Sequence, residues 1–146
     1  MTDTPASEPE AGTDCLQIDN MYLCGSKLTR VNLSQLSVSD TVMQEARFDD
    51  VNMGSMIARN VNLSDTKISN ANLTGTSISE ARLTGMRFSD VDMSAVQITN
   101  ADLSGARIDD ANLCGVAIGD ANLDGMTIRG IPVIDMIAAY EAAQKA

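Results

Sequence analysis

Cut into fives, residues 71–125 read ANLTG TSISE ARLTG MRFSD VDMSA VQITN ADLSG ARIDD ANLCG VAIGD ANLDG. The third residue of every block is large and apolar, from Leu73 through Ile78, Leu83 and Phe88 to Leu123. Extended in both directions, this column runs from Ile18 to Val133 without an insertion, and of its 24 positions only Ala58 is not large and apolar. A second column lies two residues earlier, from Leu16 to Ile131, and is apolar or small throughout. No charged residue falls in either column.

A period of five fits neither a helix, at about 3.6 residues per turn, nor a flat strand, at about two. Two inward residues with one outward residue between them make a short strand. The remaining two residues must turn a corner. The second residue after each central one is Gly, Asn or Asp at 18 of the 24 places, and these residues supply turn conformations. The chain therefore makes a three-residue side, turns, and repeats. Successive coils stack at the strand spacing of roughly 4.8 Å.

A period of ten sits inside the period of five. Alternate blocks favour Leu or Met at the centre, with Asn or Asp before it in eight of 12, and their corners favour Gly; the intervening blocks favour Ile and corner Asn or Asp. Gly and Asn/Asp serve different turns, so two turn types alternate around the coil. Asn32, Asn52, Asn72, Asp92 and Asn112 recur every 20 residues on one side. They read as a hydrogen-bonding ladder that satisfies turn backbone. The alternative, a metal-binding ladder, lacks an accompanying acidic cluster. Ala58 interrupts the central column while Met56 stands where small residues are usual. That exchange reads as volume compensation, or as a local bulge.

The blocks Ala71-Asn72-Leu73, Ala101-Asp102-Leu103, Ala111-Asn112-Leu113 and Ala121-Asn122-Leu123 carry the motif Ala-(Asn/Asp)-Leu-x-x. In this the chain resembles the pentapeptide-repeat family, over about residues 16–135. The resemblance implies an all-β solenoid, a right-handed quadrilateral β-helix with four pentapeptides per coil. Twenty-four units then make about six 20-residue coils, a rod roughly 29 Å tall. The expected organisation is an acidic, disordered tail over 1–14, the β-helix over 15–135, and a short C-terminal α-helix over 136–146.

A solenoid needs capped ends. The stretch from Asp135 to Lys145 is rich in Ala and helix formers, with Asp135 placed as an N-cap. Met136, Ile137 and Tyr140 share one helical face. That face either lids the last coil or meets another molecule; the resemblance implies a homodimer through this end as an option. At the other end, Tyr22 and Val42 are outward and stacked one coil apart, with Ile57 one face over. They form either a local patch or a partner surface.

The charges sort by face. Lys27, Arg47, Lys67, Arg87 and Arg107 recur every 20 residues at one outward position, and nothing in the fold requires bases there. Asp49, Asp50, Asp90, Asp109 and Asp110 follow two or three residues on and are expected to balance them. The column reads as a solvated charge ladder or as a groove for an acidic protein segment.

Composition bounds the function. The net charge is -10, with 20 acids against 10 bases, which argues against direct binding of nucleic acid or of an anionic membrane. There is no His and no Trp. Ser-His-Asp and Cys-His nucleophilic sites and His-ligated metals are thereby excluded. No motif joins a base to a nucleophile, so no enzyme, no cofactor and no metal site is expected. No run of 18 apolar residues spans a membrane, and the first 14 residues lack the basic start of a secretory signal. Cys15, Cys24 and Cys114 read as reduced thiols of a cytoplasmic protein; a Cys15–Cys24 bridge is sterically open but not favoured.

Two function classes remain. One is a non-catalytic protein-binding or scaffold rod with a partner of unknown identity. The other is implied by the resemblance: some family members act as duplex-DNA mimics on DNA gyrase or topoisomerase IV. The acidic charge and the C-terminal helix agree with mimicry. Short length, uninterrupted repeats and the basic column disagree.

Overall fold

The computed structural model describes residues 17–146. It is a β-solenoid of about six coils followed by a short helix. The tail over 1–14 and Cys15 lie outside the described residues.

A three-residue strand, β1 (Gln17–Asp19), opens the solenoid. Ten six-residue strands follow: β2 (Lys27–Asn32), β3 (Ser37–Val42), β4 (Arg47–Asn52), β5 (Ile57–Asn62) and β6 (Lys67–Asn72), then β7 (Ser77–Arg82), β8 (Arg87–Asp92), β9 (Gln97–Asp102), β10 (Arg107–Asn112) and β11 (Ala117–Asn122). Two short strands, β12 (Thr127–Ile128) and β13 (Ile131–Pro132), precede α1 (Val133–Gln144). Odd strands β1 to β11 form one parallel sheet; even strands β2 to β12 form a second, to which β13 adds at the end.

Each six-residue strand covers two sides of the rod, because it bends at its fourth residue. Between β6 and β8 the register runs Ser69↔Ser89 and then Ala71↔Val91, passing over Asn70 and Asp90 at the corner. Asn70 has φ 48 and Asp90 φ 52, the left-handed region that Asn and Asp tolerate best among residues with a Cβ. The other corners are hydrogen-bonded turns. In one of them the Thr76 N–H donates to the Leu73 carbonyl at 3.0 Å, with Gly75 at φ 69 in the third place. That is the position where a type II turn asks for Gly. Every fifth residue from Asn20 to Gly130 has positive φ. The alternation of Gly corners with Asn/Asp corners is thus an alternation of two backbone shapes.

The central and flanking columns form one continuous core from Leu33 to Ile108, with Met126 below it. Thr66 and Thr76 enter this core with their hydroxyls donating to the Met43 and Met53 carbonyls, at 2.9 and 2.8 Å. Ala58 and Met56 are both buried. Ala58 pairs one-to-one with Val38 and with Ile78, so the exchange of large and small makes no bulge there.

The ends depart from the repeat. Met21 and Ile131 belong to the inward column by phase, yet both are exposed. After Ile128 the chain folds back, and β13 pairs antiparallel with β12 through Thr127↔Pro132 and Ile128↔Ile131. The last block therefore does not make another side. Helix α1 starts at Val133, three residues earlier than expected, and its N-cap is Pro132 with φ -60. Asp135 sits in the first turn instead, where its charge faces the positive end of the helix dipole. The Val133 N–H donates to the Met126 carbonyl at 3.0 Å and ties the helix to the last coil. No residue of α1 is buried. Met136 is half-buried while Ile137 and Tyr140 are exposed, so the three expected on one face do not share one environment.

Candidate functional site

The five cations are brought into line by the parallel register of the even strands. Lys27 pairs with Arg47, Arg47 with Lys67, Lys67 with Arg87, and Arg87 with Arg107. All five side chains are exposed. Each stands first in its six-residue strand, where the alternation of the pleat turns it outward between two inward residues.

The expected balance by flanking acids is not made by contact. Among the described residues, none of the five cations forms an ion pair or a side-chain hydrogen bond. Asp49 instead accepts hydrogen bonds from the Ser69 hydroxyl at 2.8 Å and the Asn70 amide at 3.0 Å. These bonds, together with the charges of Arg47 and Lys27, hold the Asp49 carboxyl below its ordinary value. Asp49 is thus hydrogen-bonded by the next coil and feels the two bases only through space. A shallow depression of about 390 Å³ runs along the ladder, lined by Arg47, Lys67, Arg87, Arg107, Ser69 and Asp109 among others.

The neighbouring face carries the Asn column, and here the hydrogen bonds are as expected. The Oδ1 atoms of Asn32, Asn52, Asn72, Asp92 and Asn112 accept from the backbone N–H two residues on, at 2.9–3.1 Å. Asn62, Asp102 and Asn122 do the same on the opposite side. These oxygens are spent on their own turns. Among the described residues no cluster of three or more His, Cys, Asp or Glu could hold a metal ion.

Tyr22 and Val42 meet in an isolated parallel bridge. Tyr22 is 82% exposed and Ile57 58% exposed, while Val42 is half-buried. Val42 continues into Asn62 along the coil axis, whereas Ile57 lies between Ser37 and Ser77, around the corner. Tyr22 and Val42 therefore lie on one side of the rod and Ile57 on the adjacent side. At the C-terminal end Ile137 and Tyr140, expected either to lid the last coil or to meet another molecule, are exposed, and Ile131 and Ile134, which the sequence did not single out, are exposed with them. The signal for that exposure was the fold-back at Gly130-Ile131-Pro132, where the phase of five stops describing what is inward. Among the described residues Cys24 and Cys114 are free, and both are exposed.

Residues 26–65, 59–94 and 92–130 match the pentapeptide repeats family, in eight copies. The chain belongs to the pentapeptide repeat family. Several solved structures are similar. A pentapeptide repeat protein (Rfr23) from the cyanobacterium Cyanothece 51142 is 18% identical over 76% of this chain and 90% of that one, with a TM-score of 0.43. A trypsin-treated form of QnrB1, a plasmid-mediated fluoroquinolone resistance protein, is 15% identical over 77% of this chain and 72% of that one, with a TM-score of 0.36. A pentapeptide repeat protein of the Arabidopsis thaliana thylakoid lumen is 24% identical over 83% of this chain and 74% of that one, with a TM-score of 0.28. No curated protein sequence matches this chain. No helix among the described residues is long and apolar enough to cross a membrane.

Proposed function

We propose that the chain is a non-catalytic protein-binding rod whose working surface is the ladder Lys27–Arg47–Lys67–Arg87–Arg107, and whose partner presents an acidic segment. One observation carries this: five exposed cations stand in register, one coil apart, with no acid in contact among the described residues. Like charges at strand spacing oppose folding, so a purely structural ladder would pair them. Cys24 and Cys114, unpaired among the described residues, are in keeping with reduced thiols in a cytoplasmic setting. The test is binding of poly-L-glutamate to the full chain, followed by fluorescence anisotropy. The variant Arg47→Glu/Lys67→Glu/Arg87→Glu is expected to lose at least tenfold in affinity, and binding to weaken with salt. Equal binding by the variant overturns the proposal.

The same reading extends to the C-terminal end. The exposed set Ile131, Ile134, Ile137 and Tyr140 supports a homodimer through that surface. Sedimentation velocity of the wild type and of Ile134→Lys/Ile137→Lys checks it, with a monomeric wild type against it.

A second reading, a duplex-DNA mimic acting on DNA gyrase or topoisomerase IV, is favoured by the net charge of -10. A gyrase supercoiling assay with and without a quinolone separates the two. Inhibition or drug protection that weakens in Asp90→Asn/Asp110→Asn selects mimicry; no effect leaves the acidic-segment reading.

A further inference from the structure

The cation ladder differs along its length in what flanks it. The residue two places after each cation forms a second ladder beside it, Thr29, Asp49, Ser69, Ser89 and Asp109, paired in the same parallel register. Acids therefore follow Arg47 and Arg107, and hydroxyls follow Lys27, Lys67 and Arg87. Lys67 and Arg87 are the one adjacent pair of cations followed by a hydroxyl on both coils. The other edge of the face points to the same place. Glu45 and Asp65 stand two places before Arg47 and Lys67, and Gly85 stands before Arg87. Of the three cations with a cation on both sides, Arg87 alone has no acid two places before or after it.

The depression along the ladder gathers this charge. Four of its nine lining residues are cations, Arg47, Lys67, Arg87 and Arg107, against one acid, Asp109. The corner acids Asp50, Asp90 and Asp110 do not line it; Asp50 lines the depression on the next side, with Asn52 and Asn72. Asp65 leans over Gly85 without lining it. The Ser69 hydroxyl is committed to Asp49 at 2.8 Å, whereas the Ser89 hydroxyl has no hydrogen-bond partner among the described residues. Asp109 pairs in register with Ser89 and bounds the window on the Arg107 side. Between Lys67 and Arg87 the face thus presents two cations and one uncommitted donor.

An extended acidic segment lying along the rod cannot meet the five cations one by one. Its like-facing side chains repeat at about 6.8 Å, and the cations at roughly 4.8 Å. A single phosphate meets two of them at once, because it carries a charge of about -1.5 to -2 and three acceptor oxygens. Guanidinium matches its geometry, and charge-assisted bonds of this kind are the strong ones. We infer that the acidic segment is a phosphorylated one, with a phosphoserine seated between Lys67 and Arg87 and accepting from the Ser89 hydroxyl. This rests on the reading of the ladder as a surface for an acidic segment, and names the group that anchors the segment there.

The experiment compares two short labelled peptides of Glu and Gly that differ only at the central residue, phosphoserine in one and glutamate in the other. Each is titrated with the full chain and followed by fluorescence anisotropy. The phosphopeptide is expected to bind at least fivefold more tightly. Arg87→Gln is expected to abolish that preference and Ser89→Ala to lower it at least twofold. Arg47→Gln, on the same ladder but between Glu45 and Asp49, should weaken both peptides alike and keep the preference. Melting curves check that each variant folds. Equal binding of the two peptides overturns the phosphate site and leaves the acidic-segment reading standing; binding of neither overturns both. A preference that survives Arg87→Gln and Ser89→Ala, or that falls as far in Arg47→Gln, would be an effect of net charge alone and would overturn the site. Inorganic phosphate that binds as tightly as the phosphopeptide would make the free ion the ligand, and would overturn the phosphorylated segment.

Discussion

Lys67 and Arg87 are direct partners in the parallel ladder between β6 and β8, so two cations lie one strand spacing apart with no acid in contact among the described residues. At roughly 4.8 Å in water, two unit charges repel by about 0.9 kcal/mol. Lys67 has such a neighbour on both sides, Arg47 and Arg87. Replacing it with Ser, the residue at the equivalent place in β7, relieves both pairs. Lys67→Ser is therefore expected to raise the melting temperature at low salt, by less than the pair sum because flexible side chains splay apart. The gain should vanish near 1 M salt, where the Debye length is about 3 Å. Measuring Tm at low and high salt checks it. A loss of stability at both would show the ladder to be structural.

A pH limb is expected from Asp92. Hydrogen bonds from the Ser94 hydroxyl and the Ser94 backbone N–H, with a further one from Asn112, hold its carboxyl below the ordinary value of 3.8. A depressed carboxyl stabilises the fold fully above its unfolded value, and that contribution is lost as pH falls through the folded one. Asp102, bonded by Ser104, and Asp49 act in the same direction. The acid limb should thus start below about pH 4. Asn stands at the matching ladder positions 52, 72 and 112, so Asp92→Asn should fold and keep the turn bond. Its stability should fall less between pH 6 and pH 2 than that of the wild type. Parallel acid limbs would count against this role for Asp92.

The repeat was legible because its chemistry is periodic. A charge-free column at every fifth residue has no other economical explanation, and the Asn32-to-Asn112 oxygens do what an Asn before a turn does. What was not legible depends on where the period ends or on volume. Ile131 keeps the phase of five, but Gly130 at φ 76 and Pro132 turn the chain antiparallel, so phase no longer predicts burial. The pairing of Asp49 with Ser69 and Asn70 rather than with Arg47 depends on side-chain reach, which spacing does not encode. The exchange at Met56 and Ala58 was visible, yet that it leaves both residues buried is a matter of volume, which spacing does not encode.

The Gly corners should differ from one another in cost. At Gly85, with φ 67, an added Cβ would lie 2.5 Å from Asp65 Oδ1. At Gly75, with φ 69, the nearest atom is Ser55 Oγ at 3.7 Å. Both substitutions to Ala impose a left-handed backbone on a residue with a Cβ, at about 1 kcal/mol. Gly85→Ala must also swing the exposed, flexible Asp65 carboxylate aside, a small movement, so it should cost slightly more than Gly75→Ala. Ala95 occupies the same kind of corner at φ 56, so Ala95→Gly should stabilise by up to about 1 kcal/mol. Denaturant unfolding of the three variants checks the order, and equal costs at positions 75 and 85 would contradict it.

Thr127 follows Arg107 in the cation column but faces Pro132 across the antiparallel pair. Its hydroxyl oxygen is buried and has no hydrogen-bond partner among the described residues. A buried hydroxyl without a partner costs about 1–3 kcal/mol relative to one that is satisfied. Thr127→Val keeps the shape and removes the polar atom, so it should stabilise the last coil by about 1 kcal/mol. Thr127→Arg would extend the column to six cations, but the side chain can leave only by opening the β12–β13 pair. It should therefore destabilise the chain and loosen α1, which hangs from the same turn through the Val133–Met126 bond. Hydrogen exchange at the Val133 amide reads this out, expected to be slowed in the Val variant and accelerated in the Arg variant. The opposite order would mean that the column ends at Arg107 for a reason other than the fold-back that covers Thr127.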